Sequence, residues 1–345
     1  MGTKLKDIIE KEETSFRELS GKVLVIDTFN ILYQFLSSIR QADGTPLMDS
    51  KGRTTSHLSG LFFRTARMLE NSIKPVFVFD GKAPELKSKE RQRRSLSKEE
   101  AKKHYEIAKE REDLDAMKKF ASRTSVLTAE MVQEAKELLD AMGLPVVQAP
   151  SEGEAQAARM VNAGIAFAEV SQDYDCLLYG VKRVVQNLTV SEKRKKPGSF
   201  GYVKVLPHII DLEKNLKRLE IGQEQLIIIG ILTGTDYNIG GVKGIGPKKA
   251  LKLVKEYSGR YDELFELVKW KDNFEIDWKE IFNLIKNIPV SEKYSIEFRA
   301  IDEKKIKDIL VKRHEFGEDR IDMALGKLRQ KIRGKAQSGL GEWMK

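Results

Sequence analysis

Seven acidic residues stand at positions where carboxylates converge on a ligand. Asp27 closes the apolar run from Lys22, and Asp80 closes a second run from Pro75. Glu152 and Glu154 follow a third run, Pro145 to Ala149, and Asp173 and Asp175 follow a fourth, Phe167 to Ser171. In an open α/β sheet, ligands bind beyond the carboxyl ends of the strands, so these six acids are expected to face one crevice. Asp236, in the segment Gly234 to Tyr237, is placed to reach it. Carboxylates crowded in this way repel one another and take up protons unless a cation neutralises them. An all-oxygen donor set suits Mg²⁺ or Mn²⁺. A carboxylate site with room for two such ions suits hydrolysis of a phosphodiester, one ion activating water and the other stabilising the leaving oxygen.

The spacing sets conditions on this reading. Asp173 and Asp175 share a side if their segment is extended. Glu152 and Glu154 converge only if Glu152 lies in the turn before a helix, because helical residues i and i+2 do not face each other. Each acid also has a structural alternative. An Asp after a strand serves as a turn former or helix N-cap, and Ser151 with Glu154 spells a capping box.

The elements that position these groups are read from periodicity. The four apolar runs are short and rich in β-branched residues, as in strands buried on both faces. Between the first two, residues 56–71 carry Leu58, Leu61, Phe62, Thr65 and Leu69 on one helical side. Helices are expected at 129–142 and 155–163. The fold class is therefore α/β, a mainly parallel central sheet flanked by helices. Residues 1–81 and 128–221 form the two parts of the sheet. Residues 82–127 interrupt it as an inserted charged pair of helices, and from Lys82 to Phe120 bases outnumber acids 13 to 9. Taken alone, such a stretch is a solvated face laced with i,i+4 ion pairs.

Residues 222–258 read as helix, glycine turn and basic helix. The turn, Gly240 to Pro247, is not a phosphate-binding P-loop, since proline follows its last glycine and no Ser or Thr comes after. It fits a helix-hairpin-helix element, whose exposed backbone N–H groups and helix N-terminus accept phosphate. Gly244 and Gly246 lie among Lys243, Lys248, Lys249 and Lys252. Residues 259–335 read as further helices, and 336–345 as a flexible polar tail.

Composition narrows the classes. Hydrophobic residues at 41 % and charged residues at 33 % supply a core and exclude wholesale disorder. The longest apolar run, Leu226 to Leu232, falls far short of the ~20 residues of a membrane span. One cysteine, Cys176, excludes an internal disulfide and a thiolate zinc cage. The formal charge of +9 points to a polyanionic partner. With no secretory signal, the expectation is a cytoplasmic, monomeric protein.

Taken together and in this order, the motifs around Asp27, Asp80, Glu152 to Glu154, Asp173 to Asp175, Asp236 and the glycine turn resemble the structure-specific 5′ nucleases, and among them the archaeal-type flap endonucleases. The resemblance covers nearly the whole chain. It implies a structure-specific 5′ flap endonuclease, with 5′–3′ exonuclease activity, that hydrolyses DNA by a two-metal mechanism in Okazaki-fragment maturation and repair. It implies that Asp80, Glu152 and Glu154 hold one Mg²⁺ or Mn²⁺ and that Asp173 and Asp175 hold the other. Asp27 and Asp236 would act partly through water. Lys87 and Arg94 would face the scissile phosphate as catalytic groups, with Tyr33 stacking on the nucleotide, and Gly2 would lie close by. The inserted helices would form an arch for a free 5′ end. The glycine turn would grip duplex DNA through Gly244, Gly246, Lys243, Lys248 and Lys249, with a monovalent cation. The tail, Gln337, Leu340, Trp343 and Met344, resembles a box that binds a sliding clamp of the proliferating cell nuclear antigen type. Two other readings stay open: a related carboxylate-metal nuclease acting on RNA, and a non-catalytic DNA-binding relative.

Overall fold

A computed structural model describes residues 3–41, 43–111, 113–190, 193–195 and 202–342. The chain begins with a short edge strand, β1 (Glu12–Glu13), and then enters the first buried strand, β2 (Val23–Asp27), which runs straight into helix α1 (Thr28–Ser38). Helix α2 (Ser56–Glu70) crosses back to β3 (Lys74–Phe79). The charged insertion follows as a 3₁₀ turn (Glu85–Lys87), α3 (Ser88–Glu110) and α4 (Leu114–Ala121). The sheet resumes with α5 (Ala129–Ala141), β4 (Val146–Gln148), α6 (Gly153–Asn162), β5 (Ala168–Val170), α7 (Asp175–Leu178) and β6 (Arg183–Gln186). A two-stranded ribbon, β7 (Lys193–Lys195) with β8 (Tyr202–Lys204), precedes the last sheet strand, β9 (His208–Asp211).

The main sheet has seven strands in the order β1-β9-β6-β5-β2-β3-β4. Pairs from β6 through β4 are parallel, while β9 and β1 run antiparallel at the edge. The sheet is therefore mixed, mostly parallel. From β2 the chain winds outward through β3 to β4, and then returns to the other flank of β2 with β5 and β6. That reversal opens a crevice at the carboxyl ends of β2 and β5. Alternation along the strands divides the core in two. Val25, Val76 and Val78 pack with α6, α7 and the later helices, while Leu24, Ile26, Phe77 and Phe79 pack with α1, α2 and α5 on the other face.

In the insertion, α3 and α4 lean together: Ala101 and Ala108 are buried, as are Met117 and Ala121, and His104 stacks on Phe120 at 4.9 Å. Small residues seven apart form one stripe two turns long, which lets the helices approach closely. After β9 come α8 (Leu212–Leu219), α9 (Gln223–Thr233), α10 (Pro247–Glu256), α11 (Tyr261–Leu267), α12 (Trp270–Asn273), α13 (Trp278–Lys286), α14 (Glu303–Lys307), a π-helical turn (Asp308–Arg313) and α15 (Glu318–Glu342). Helix α9 is buried from Leu226 to Thr233 and anchors the glycine turn in the core. The backbone of α15 runs on past 336, where an irregular tail is expected, and Gln337 and Leu340 lie on it. Gly2, Trp343 and Met344 lie outside the described residues. Among the described residues no helix is long and apolar enough to cross a membrane.

Candidate active site

All seven acids line one pocket of about 430 Å³, together with Asn30, Tyr33, Lys87, Arg94 and Lys98. The sheet explains the convergence. Asp27 ends β2, Asp80 follows β3, Glu152 and Glu154 follow β4, and Asp173 and Asp175 follow β5. Asp236 arrives from the other side, in the loop between α9 and α10. Asn238 fixes that loop: its Oδ1 accepts from the Thr235 hydroxyl at 2.7 Å, and its Nδ2 donates to the Ile231 carbonyl at 2.7 Å.

Local geometry aims each acid. Asp27 caps α1, accepting from the Asn30 N–H at 3.2 Å, so its capping and site roles coincide. The Asn30 side chain donates to Asp173 Oδ2 at 2.8 Å. Asp80 Oδ1 accepts from the Gly153 N–H at 2.6 Å. Position 153 needs glycine: a Cβ there would stand 2.6 Å from Asp80 Oδ1. Glu152 is the residue before α6 and adopts an extended conformation, as convergence with Glu154 requires. The capping box is not formed. The Ser151 hydroxyl donates to the Lys82 carbonyl at 3.2 Å, and Glu154 accepts from Ser171 at 3.3 Å. The extended segment expected at 173–175 is also corrected. Tyr174 is helical, with φ −95° and ψ −5°, and Asp175 begins α7. Asp175 is oriented instead by Thr3, whose backbone N–H donates to Oδ1 at 2.6 Å and whose hydroxyl donates to the same oxygen. Thr3, Asn30, Gly153 and Ser171 escape the sequence reading. Only Asn30, three residues past an N-cap Asp, carries a local signal.

The electrostatics are those of acids crowded out of water. Burial, then the charge of Asp80, holds Asp27 well above the usual carboxylate range. Burial and the Glu152 charge push Asp80 up to about 6. Burial raises Asp175 to about 6 against the downward pull of its Thr3 hydrogen bond. Glu154 is raised well above its ordinary value by burial and by Asp175. Two cations of the charged insertion supply balancing charge. Lys87 Nζ lies 2.7 Å from Glu152 and 3.2 Å from Asp236, and Arg94 Nη2 lies 2.9 Å from Asp236. Burial alone would lower Lys87, but its two carboxylate partners more than reverse that. Among the described residues no three acidic or sulfur and imidazole ligands are drawn around one point. The donor chemistry nonetheless fits hard divalent ions: every candidate ligand is a carboxylate, and Glu152 Oε1 is buried with no hydrogen-bond partner.

The remaining expected residues fall on two surfaces. Tyr33, on α1, is 39 % exposed at the pocket edge, with Lys98 Nζ 5.1 Å from its ring. At the glycine turn, Val242, Ile245 and Pro247 point into the core while Lys243, Gly244, Gly246, Lys248 and Lys249 are exposed. Gly244 has φ +79°, a conformation that favours glycine.

Comparison with known proteins adds to this geometry. Residues 1–101 match the XPG N-terminal domain, and residues 143–236 match the XPG I-region. The chain is 52 % identical over 351 residues to flap endonuclease 1 of Staphylothermus marinus, covering 99 % of each sequence. It superposes on the solved flap endonuclease-1 from Methanococcus jannaschii with a TM-score of 0.76 at 43 % identity, covering 97 % of this chain and 100 % of that one. It shares its fold with the catalytic core of Rad2, solved in complex with a DNA substrate, at a TM-score of 0.69 and 23 % identity, over 95 % of this chain and 100 % of that one.

Proposed function

The chain belongs to the flap endonuclease 1 family, whose members are metal-dependent, structure-specific nucleases, and from that premise we propose how its pocket works. The substrate is a 5′-flap DNA, met during Okazaki-fragment maturation and repair. Asp80, Glu152 and Glu154 hold one Mg²⁺ or Mn²⁺, Asp173 and Asp175 hold the second, and Asp27 and Asp236 act partly through water. When bound, the two ions supply an activated water and charge stabilisation for the leaving oxygen. The observation that carries this reading is the convergence of seven carboxylates with Lys87 and Arg94 on one pocket.

The chain's own groups do the rest. Lys87 and Arg94 reach the pocket from the arch and place positive charge where the scissile phosphate must lie. A guanidinium and an ammonium there hold the phosphate and stabilise charge developing on its oxygens. Tyr33 offers a ring face to the adjacent base. The arch of α3 and α4 admits a free 5′ end. Exposed N–H groups and lysines of the glycine turn hold the duplex backbone, aided by a monovalent cation. Gln337, Leu340, Trp343 and Met344 dock on a sliding clamp.

One comparison tests this: cleavage of a 5′-flap DNA and of a matched single-stranded RNA, each with and without Mg²⁺. Mg²⁺-dependent cutting of the flap at its junction is expected. Preferential cutting of the RNA, or binding without cutting of either, would overturn it.

A further inference from the structure

We propose that Glu90 is the positioning residue that presents Arg94 to the phosphate, an inference that rests on the proposed role of Arg94. Helix α3 is almost wholly exposed, yet the Glu90 side chain is only 2 % exposed. A buried carboxylate on such a helix requires strong partners. Glu90 has two. Arg93 donates to both of its oxygens, Nε to Oε2 at 2.7 Å and Nη2 to Oε1 at 2.8 Å. Arg94 Nε donates to Oε1 at 2.7 Å.

Ion pairs three and four residues apart on a helix are common, and alone they stabilise it only slightly. Here the contact does more, because of which nitrogen it uses. A guanidinium is a rigid plane, so fixing Nε fixes the direction of its Nη groups. With Nε on Glu90, Arg94 turns Nη2 to Asp236, at 3.0 and 2.9 Å from the two carboxylate oxygens. The result is a relay from Arg93 through Glu90 and Arg94 to Asp236, which Lys87 continues to Glu152. Arg93 closes the outer side of Glu90 and keeps that carboxylate ionised. Burial would raise Glu90, but the two arginines hold it below its ordinary value.

Glu90 also limits how far Arg94 can move. A free arginine beside a crowded acidic pocket would sink into it and pair with the carboxylates meant for other cations. Anchored at Nε, Arg94 reaches the pocket only through Nη2, on Asp236. A phosphate entering the pocket can then replace Asp236 as its partner without a new search of side-chain conformations. The ion-pair partners of Lys87, by contrast, are both pocket acids, Glu152 and Asp236.

A double-mutant cycle tests the proposal. Glu90→Gln, Arg94→Ala and the double variant are compared with the parent in single-turnover cleavage at saturating enzyme and Mg²⁺, with DNA affinity and melting temperature measured alongside. Glu90→Gln should slow cleavage on the order of ten-fold through misplacement of Arg94. DNA affinity should be unchanged or tighter, since a negative charge has been removed. In the Arg94→Ala background the same change should cost less than about two-fold, the non-additivity expected of residues acting as one unit. An equal loss in both backgrounds, or no loss with Arg94 present, overturns the role of Glu90. Wild-type cleavage by Arg94→Ala would instead overturn the assignment of Arg94 on which this inference rests.

Discussion

Replacing Asp80 by Asn should stabilise the metal-free protein at pH 7.5 while abolishing cleavage. The Asp80 carboxyl is pushed from 3.8 up to about 6, by burial and by the charge of Glu152. Such a group holds its proton more readily folded than unfolded. Its contribution to stability is therefore fully present below pH 3.8 and is lost as pH rises through about 6. The rise from 3.8 to about 6, at about 1.36 kcal/mol per pH unit, sets a ceiling of about 3 kcal/mol. The residue is half-buried and faces the open pocket, so about 1 kcal/mol is the working expectation. The asparagine side chain keeps the shape and can still accept the Gly153 N–H through its oxygen, leaving the amide group on the pocket side. Urea unfolding in EDTA at pH 4.5 and pH 7.5 reads the effect. The variant should match the parent at the lower pH and exceed it at the higher. Added Mg²⁺ should narrow the gap by stabilising the parent selectively. If the Asp80→Asn variant were equally destabilised at both pH values, Asp80 would be an ordinary hydrogen-bonding residue and not a member of a repelling cluster.

Lys87→Ala should slow cutting of every flap sequence alike, because phosphate contacts carry no base code, and a bulky group attached to the 5′ end before protein is added should inhibit. Uninhibited cutting of blocked flaps would show that the end does not pass through the arch. Gly246→Val should fold normally, since an added Cβ meets nothing within 4 Å, and should weaken duplex affinity with little change in single-turnover rate at saturation. A pure rate defect would place the glycine turn elsewhere in the mechanism. Removing residues 337–345 should leave cutting of short flaps intact and abolish stimulation by a sliding clamp. Undiminished stimulation would mean that the principal clamp contact lies elsewhere.

What the sequence discloses follows from the range of the interactions. Strands β2 and β3 are legible because buried parallel strands read as continuous apolar runs, β4 and β5 because short apolar, β-branched stretches mark them, and the acids beyond them are legible because those stretches stop there. The antiparallel edge is not. Strands β6 and β9 are four residues each, and β1 is two glutamates; they exist because the parallel sheet offers them a partner. The condition on Glu152 is stated correctly from helix geometry alone. The placing of Asp175 is not, because its partner Thr3 is 172 residues away in the chain. Ser151 fails as a cap because the Lys82 carbonyl, brought alongside by the β3–β4 pairing, takes its hydroxyl.

Charge ties these levels together. The pocket gathers acids whose mutual repulsion is unfavourable in the folded state, and the helices inserted at residue 82 bring cations to it. Lys87 and Arg94 thereby dock the insertion on carboxylates that the ions are proposed to occupy. The proposed ion binding and the docking of the insertion would draw on the same partners, Glu152 and Asp236. An ion held as proposed would compete for these carboxylates, and Lys87 and Arg94 would then turn toward another anion. The scissile phosphate would be that anion, so on the proposed reading Lys87 and Arg94 are best paired when metal and substrate are both in place. On the proposed reading, cutting would be coupled to the arrival of substrate through ordinary Coulomb pairing.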